Sequence, residues 1–140
     1  MRHRLATPAL AARVWGLMFD FLMRTAPHRL EVLGRRGLTP NDGRSLASLD
    51  PVQGRTMSDL AAEWKCDASN ATWVVDRLER MGLAERRAVP EDRRVKHVVL
   101  TAHGLKTRTA VLKAFHRPPQ ELRTLDRSDL AALLRLLEKL

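Results

Sequence analysis

A single cysteine, Cys66, is present among 140 residues. No internal disulfide can form, and the simple expectation is a reducing, cytoplasmic setting. No uncharged run reaches the roughly 18 residues that a transmembrane helix needs. The opening Met1-Arg2-His3-Arg4-Leu5 is basic, but Arg13 and Asp20 interrupt the apolar stretch behind it. With no small-residue cleavage site following, no signal peptide is expected. Internal repeats and low-complexity tracts do not occur. Also missing are a nucleophile motif, a phosphate-cradling loop and a metal triad, so the chain is not expected to be an enzyme or to carry a cofactor. The five histidines, His3, His28, His97, His103 and His116, lack ligand spacing such as a pair four apart on a helix, and no cysteine cluster lies beside them. No metal site is expected, and His97 reads as a support for the hairpin it sits in.

Acidic residues are the other shortage. Against 25 Lys and Arg stand 16 Asp and Glu, a formal net charge of +9. Such a surplus favours a polyanionic partner, nucleic acid above all. A membrane surface would call for a basic amphipathic helix next to anionic lipid. The 44% hydrophobic content is enough for a packed core.

The apolar spacing is mostly helical. A first helix begins near Pro8 and carries Leu10, Val14, Leu17, Met18, Phe21 and Leu22 on one face. Pro27 breaks or kinks it, and Leu30 and Leu33 mark its resumption before Gly34 and Gly37. Thr39 can cap the next helix, with Pro40 at its first position, Asp42 in its first turn, and Leu46 and Leu49 on its apolar side. Asp50-Pro51 ends it, and Gln53-Gly54 continues a loop. Ser58-Asp59 opens another helix, with Leu60, Ala61 and Trp64 inward. After the short break Lys65-Cys66-Asp67, with Asp67 as cap, comes a helix whose inward face is Ala71, Val74, Val75, Leu78 and Met81. Gly82 stops it. Leu83 to Val89 and Val95 to Leu100 read as strands about the charged turn Pro90-Glu91-Asp92-Arg93-Arg94. Thr101 can cap a helix bearing Leu105, Leu112 and Phe115, which Pro118-Pro119 ends. A last helix starts at Asp126, with Leu130, Leu133, Leu134, Leu137 and Leu140 in one stripe. The fold class is mainly α with a small β-hairpin (α+β).

Two short helices with a tight break between them are the pattern of a helix-turn-helix. The outward face of the second carries Ser69, Asn70, Thr72, Trp73, Asp76, Arg77 and Arg80. Hydroxyl, amide and guanidinium groups suit base edges and phosphates, and the N-terminal half of such a helix is the part that meets bases in the major groove. A solvated surface helix also has a polar outer face; the element that follows favours DNA. The hairpin holds Arg86, Arg87, Arg93, Arg94, Lys96 and His97. A charged tip beside a recognition helix is a wing, able to follow the backbone or place an arginine in the minor groove. Asp92 could orient Arg94 by a charge-assisted pair. The candidate DNA-binding residues are Ser58, Asp67, Ser69, Asn70, Thr72, Trp73, Arg77, Arg86, Arg93, Arg94 and Lys96.

An ordered set of segments resembles the MarR family of bacterial winged helix-turn-helix regulators. It comprises Leu38-Thr39-Pro40, Leu60-Ala61-Ala62, Asp67-Ala68-Ser69-Asn70-Ala71-Thr72, Val75 to Leu83, Glu85-Arg86-Arg87, Glu91-Asp92-Arg93-Arg94 and Leu100-Thr101-Ala102-His103-Gly104. The resemblance implies a homodimer with N-terminal (1–38) and C-terminal (101–140) dimerisation helices flanking a winged helix (39–100). It implies a repressor on a near-palindromic operator, released by a small-molecule effector or by oxidation. The apolar stripes of the first and last helices agree with a dimer, being too apolar to leave exposed. Three positions depart from the family pattern. Trp73 replaces a polar or basic residue, Lys65 a small turn residue that is often glycine, and Pro27 falls in what is usually one long helix. Trp73 could touch a thymine methyl or sugar, or pack on a neighbouring subdomain.

Cys66 admits two readings: a small buried hydrophobe, or a redox sensor. An effector pocket between dimerisation helices and winged domain could be lined by Trp15, Met18, Phe19, Met23 and His116, each of which is equally a core or dimer contact. The alternative to a sequence-specific regulator is an architectural DNA binder with little preference among duplexes.

Overall fold

The computed structural model describes residues 7–140. The basic opening, with His3, lies outside the described residues. In chain order come α1 (Thr7–Arg24), α2 (Ala26–Gly34), α3 (Pro40–Ser48), α4 (Met57–Trp64), α5 (Ala68–Arg80), β1 (Ala84–Val89), β2 (Asp92–Leu100), α6 (Ala102–Phe115), α7 (Gln120–Arg123) and α8 (Arg127–Leu137). Pro27 separates α1 from α2 by sitting in the first turn of α2, where its missing N–H costs no helical bond.

The chain divides into two compact units. One runs from Leu30 to Ala114; the other joins the chain up to Arg29 with Phe115–Leu140. The first holds the core. Leu46, Leu49, Leu60, Val74, Val75, Leu78, Val98 and Leu100 are all buried there, each worth about 1.5–3 kcal/mol in removal from water. This unit is wider than the 39–100 that the sequence pattern delimits, because Val32 and Leu33 of α2 and Val111 of α6 are buried as well. In the second unit no described residue is buried. Both α1 and α8 leave their apolar stripes in water, with Trp15 66% and Leu134 58% exposed.

Capping explains most helix starts in the core unit. Thr39 caps α3 through a reciprocal box with Asp42: the Asp42 N–H donates to Thr39 Oγ1 at 3.1 Å, and the Thr39 N–H to Asp42 Oδ2 at 2.7 Å. The same box, Thr56 with Asp59, starts α4. The helix therefore opens at Met57, not at Ser58-Asp59, and Ser58 occupies its second position. Thr101 begins α6 by accepting from the Gly104 N–H at 2.9 Å while donating to the Gly82 carbonyl at 2.6 Å. Asp126 caps α8 as its spacing predicts.

The sheet is one antiparallel hairpin, β1 against β2. Arg55 adds a third, single-residue rung. Its N–H donates to the Val98 carbonyl at 3.1 Å and its carbonyl accepts from the Val98 N–H at 2.8 Å. The sequence pattern treats that segment as loop. Gly54 lets it approach: a Cβ there would lie 2.5 Å from His97 Cβ. His97 thus backs onto this rung at the base of the hairpin.

Candidate nucleic-acid interface

The helix-turn-helix is α4, the turn Lys65-Cys66-Asp67, and α5. Lys65 closes α4 in the left-handed region, at φ 53°. This is a conformation that glycine adopts without penalty and a side-chain residue does not. Its departure from the family pattern is therefore a local strain. Cys66 follows half-buried, its N–H on the Ala61 carbonyl at 3.0 Å. Asp67 Oδ1 then accepts the Asn70 N–H at 2.7 Å and caps α5. That carboxylate is engaged by the helix terminus, where its negative charge is favoured.

Inward, α5 buries Ala71, Val74, Val75 and Leu78 completely or nearly so, while Met81 is half-buried as its C-cap. Gly82 turns the chain into β1 at φ 69°. Outward, Ser69, Asn70, Thr72 and Trp73 are all exposed. Among the described residues their side chains make no hydrogen bond within the chain. They form one strip in the N-terminal half of the helix, since positions three and four apart share a face.

Two of the arginines expected to face DNA are engaged inside the chain. Arg77 reaches across to α3, where Nε donates to both Asp42 oxygens at 3.0 Å and Nη2 to the Gly37 carbonyl at 3.1 Å. Arg86, on β1, holds α5 to the hairpin. Its backbone N–H donates to Glu79 Oε1 at 2.9 Å, its Nη1 pairs with Glu79 Oε2, and its Nη2 donates to Asp76 Oδ1 at 2.7 Å. Sequence patterning shows the arginines but not their carboxylates, because Asp42 is thirty-five positions from Arg77.

The wing tip differs in form from the five-residue turn expected. Only Pro90 and Glu91 make the turn, and β2 already begins at Asp92. Pairing runs Ala88 with Lys96 but Val89 with Asp92, so Arg93, Arg94 and Val95 bulge from the ladder. Asp92 Oδ1 accepts the Arg94 backbone N–H at 2.9 Å; it shapes the bulge and does not pair with the guanidinium. Arg93, Arg94 and Lys96 are exposed and, among the described residues, have no carboxylate within salt-bridge distance. The wing therefore presents three uncompensated cations, while Arg87 is paired with Glu85.

Elsewhere, a cavity of about 440 Å³ lies within the smaller unit, lined by Phe21, Leu22, Arg24, Phe115, Arg117 and Arg123 among others. None of Trp15, Met18, Phe19, Met23 and His116 lines it. No group of three or more metal-ligating side chains occurs among the described residues, and no helix there is long and apolar enough to cross a membrane.

The MarR family model matches residues 36–95, the span of the helix-turn-helix and wing tip. The HTH-type transcriptional repressor MdtR of Bacillus subtilis (strain 168) is 35% identical over 78 residues, which is 56% of this chain and 50% of that protein. The match thus spans half the length of this curated relative. Among solved structures, the YusO protein from Bacillus subtilis superposes with a TM-score of 0.76 at 25% identity over 96% of both chains. The S. aureus MepR–DNA complex does so with a TM-score of 0.62 at 22% identity, over 91% of this chain and 98% of that one. At that identity the second likeness is one of fold.

Proposed function

We propose that the chain, whose residues 36–95 match the MarR family model, is a MarR-type sequence-specific repressor that binds double-stranded DNA as a homodimer. One observation carries the reading. The side chains of the exposed strip Ser69-Asn70-Thr72-Trp73, of Arg80 at the end of α5, and of the wing cations Arg93, Arg94 and Lys96 have no hydrogen-bond or ion-pair partner among the described residues. The neighbouring Asp67, Arg77 and Arg86 all have internal partners. Free donors on a groove-sized helix beside a free basic tip are what phosphate and base recognition require. Ser58, exposed in the first turn of α4, adds a phosphate contact in the same reading.

The dimer is supported by the smaller unit. Its helices carry Leu10, Val14, Trp15, Leu17, Phe19, Leu22, Leu134 and Leu136, all about half exposed or more, yet nothing described in it is buried. A second copy supplies the missing core. A two-fold pair reads a near-palindrome with half-sites about one helical turn apart. Release by a small-molecule effector belongs to the same reading, with the 440 Å³ cavity as its place in the fold.

Selection of bound duplexes from a random pool tests the proposal. The expected result is a near-palindromic motif, preferred by about 10³ or more over random DNA. Sedimentation should show a dimer that a chain cut before Asp126 no longer forms. A pool without a motif would favour the architectural alternative, and a monomer binding at full affinity would remove the dimer from the proposal.

A further inference from the structure

Two tryptophans on neighbouring helices have opposite environments. Trp64, at the end of α4, is buried, and its Nε1–H donates to Ser48 Oγ at 2.9 Å. Trp73, on α5, is 54% exposed, and among the described residues its indole N–H has no partner. It is the one large apolar side chain that α5 leaves exposed. Around it on the same face stand Ser69 and Asn70, four and three positions earlier, and Thr72 is its neighbour in the chain. A lone indole in a strip of hydroxyl and amide groups is not a protein-docking face, which would be broad and apolar at its centre. Nor does it complete the core of its own unit.

We infer that Trp73 is the residue by which this chain selects thymine, its ring packing on the C5-methyl group in the major groove. The inference rests on the DNA-reading proposed above. Every base pair offers hydrogen-bonding atoms on its major-groove edge, and thymine alone adds an apolar group there. Ser69, Asn70 and the Thr72 hydroxyl match the polar atoms; Ala68 and the Thr72 methyl are small apolar groups, and Trp73 is the one large apolar surface on this face able to cover a C5-methyl. Large aromatic side chains that are exposed in the free protein and desolvated on binding carry a disproportionate share of interface energy. The strip thus divides its work: the amide and hydroxyls read donors and acceptors, and the indole reads apolar surface one helical turn further along.

The test starts from the duplex that random-pool selection yields. Each thymine in turn is replaced by deoxyuridine, which lacks only the methyl group, and affinity is measured for the wild type, Trp73→Ala and Trp73→Phe. The wild type should lose about fourfold at one thymine per half-site, the value of one buried methyl. Trp73→Ala should bind more weakly and lose nothing further on that replacement, whereas Trp73→Phe should stay sensitive to it. Because about half of the Trp73 side chain is out of water, Trp73→Ala should lose some stability; the urea midpoint of each variant is measured and binding compared where each is fully folded, which separates lost reading from lost folding. Wild-type indifference to every replacement overturns the inference, as does an undiminished fourfold loss in Trp73→Ala. A pool that yields no motif defeats the DNA-reading itself and this inference with it; a clear motif with silent methyls defeats the inference alone.

Discussion

Arg77 donates from Nε to both oxygens of a wholly buried Asp42 carboxylate, and from Nη2 to the Gly37 carbonyl, so that one guanidinium fastens α5 to α3 and to the turn before it. Asp42 is at the same time the return partner of the Thr39 capping box. One carboxylate therefore completes the cap that starts α3 and orients α5 against it. Removing Arg77 leaves a buried carboxylate whose one remaining hydrogen bond among the described residues is from the Thr39 N–H. Arg77→Ala should cost about 2–4 kcal/mol, slightly under the loss seen when a fully buried pair is broken, because the arginine is partly exposed. Arg77→Lys should recover little, since a single ammonium cannot span the carboxylate and the carbonyl together. Urea unfolding measures both. A cost below about 1 kcal/mol for Arg77→Ala would show that the pair does not hold the two helices.

Lys65 offers a change of opposite sign. At φ 53° it occupies a region that costs a side-chain residue about 1–2 kcal/mol. Glycine removes that cost and adds about 0.4–1 kcal/mol of unfolded-chain entropy. Lys65→Gly should raise stability by about 0.5–1 kcal/mol, read as a shift in the urea midpoint at constant slope. A destabilised Lys65→Gly would mean that the lysine side chain contributes a contact outweighing the backbone strain.

Acid should loosen the caps. Thr56, through its hydroxyl and its backbone N–H, holds the Asp59 carboxyl below the ordinary aspartate value of 3.8. The Asp129 N–H, then the Ser128 hydroxyl, do the same for Asp126. A carboxyl whose pKa is lower in the folded chain than in the unfolded one adds stability that is fully present above the unfolded value. That stability is lost as pH falls through the lower, folded value. Thermal unfolding followed downward from pH 5 should therefore show stability falling. Asp59→Asn should flatten that fall while lowering stability at neutral pH. An acid limb as steep in Asp59→Asn as in the wild type would exclude this carboxyl as a contributor.

The elements legible in the sequence are those specified by local chemistry. Thr39, Asp67, Thr101 and Asp126 announce helix starts because a cap and the N–H groups it satisfies lie within three residues. Ala71, Val74, Val75 and Leu78 announce a buried helix face because helical periodicity needs no knowledge of the partner. The start of α4 at Thr56 was carried by the same signal, a threonine three residues before Asp59, ahead of the serine the pattern favours. What was not legible depends on distant chain. The Arg55 rung on β2 is one pair of backbone bonds and leaves no side-chain alternation. The bulge at Arg93-Arg94-Val95 is set by pairing register. Above all, Arg77 and Arg94 look alike in the sequence, and only the placement of Asp42 shows that one belongs to the fold while the other remains free.

That division between occupied and free arginines gives a quantitative prediction for the wing. Each phosphate contact contributes close to one unit to the slope of log affinity against log salt concentration. Arg94 has no carboxylate partner among the described residues, so Arg94→Ala should weaken binding and flatten that slope by about 1 per wing. Arg86 is held by Glu79 and Asp76, which join α5 to β1. Arg86→Ala should also weaken binding, by letting the hairpin move relative to α5, but with the salt slope unchanged. Glu79→Gln distinguishes further. If Arg86 only positions the wing, loss of its partner weakens binding and adds little to Arg86→Ala in a double-mutant cycle. If Arg86 abandons its carboxylates for a phosphate on binding, Glu79→Gln should tighten binding instead, and Arg86→Ala should flatten the slope as Arg94→Ala does. Titrations of the wild type, the three single variants and the Arg86→Ala/Glu79→Gln double variant over a range of salt concentrations separate the two outcomes.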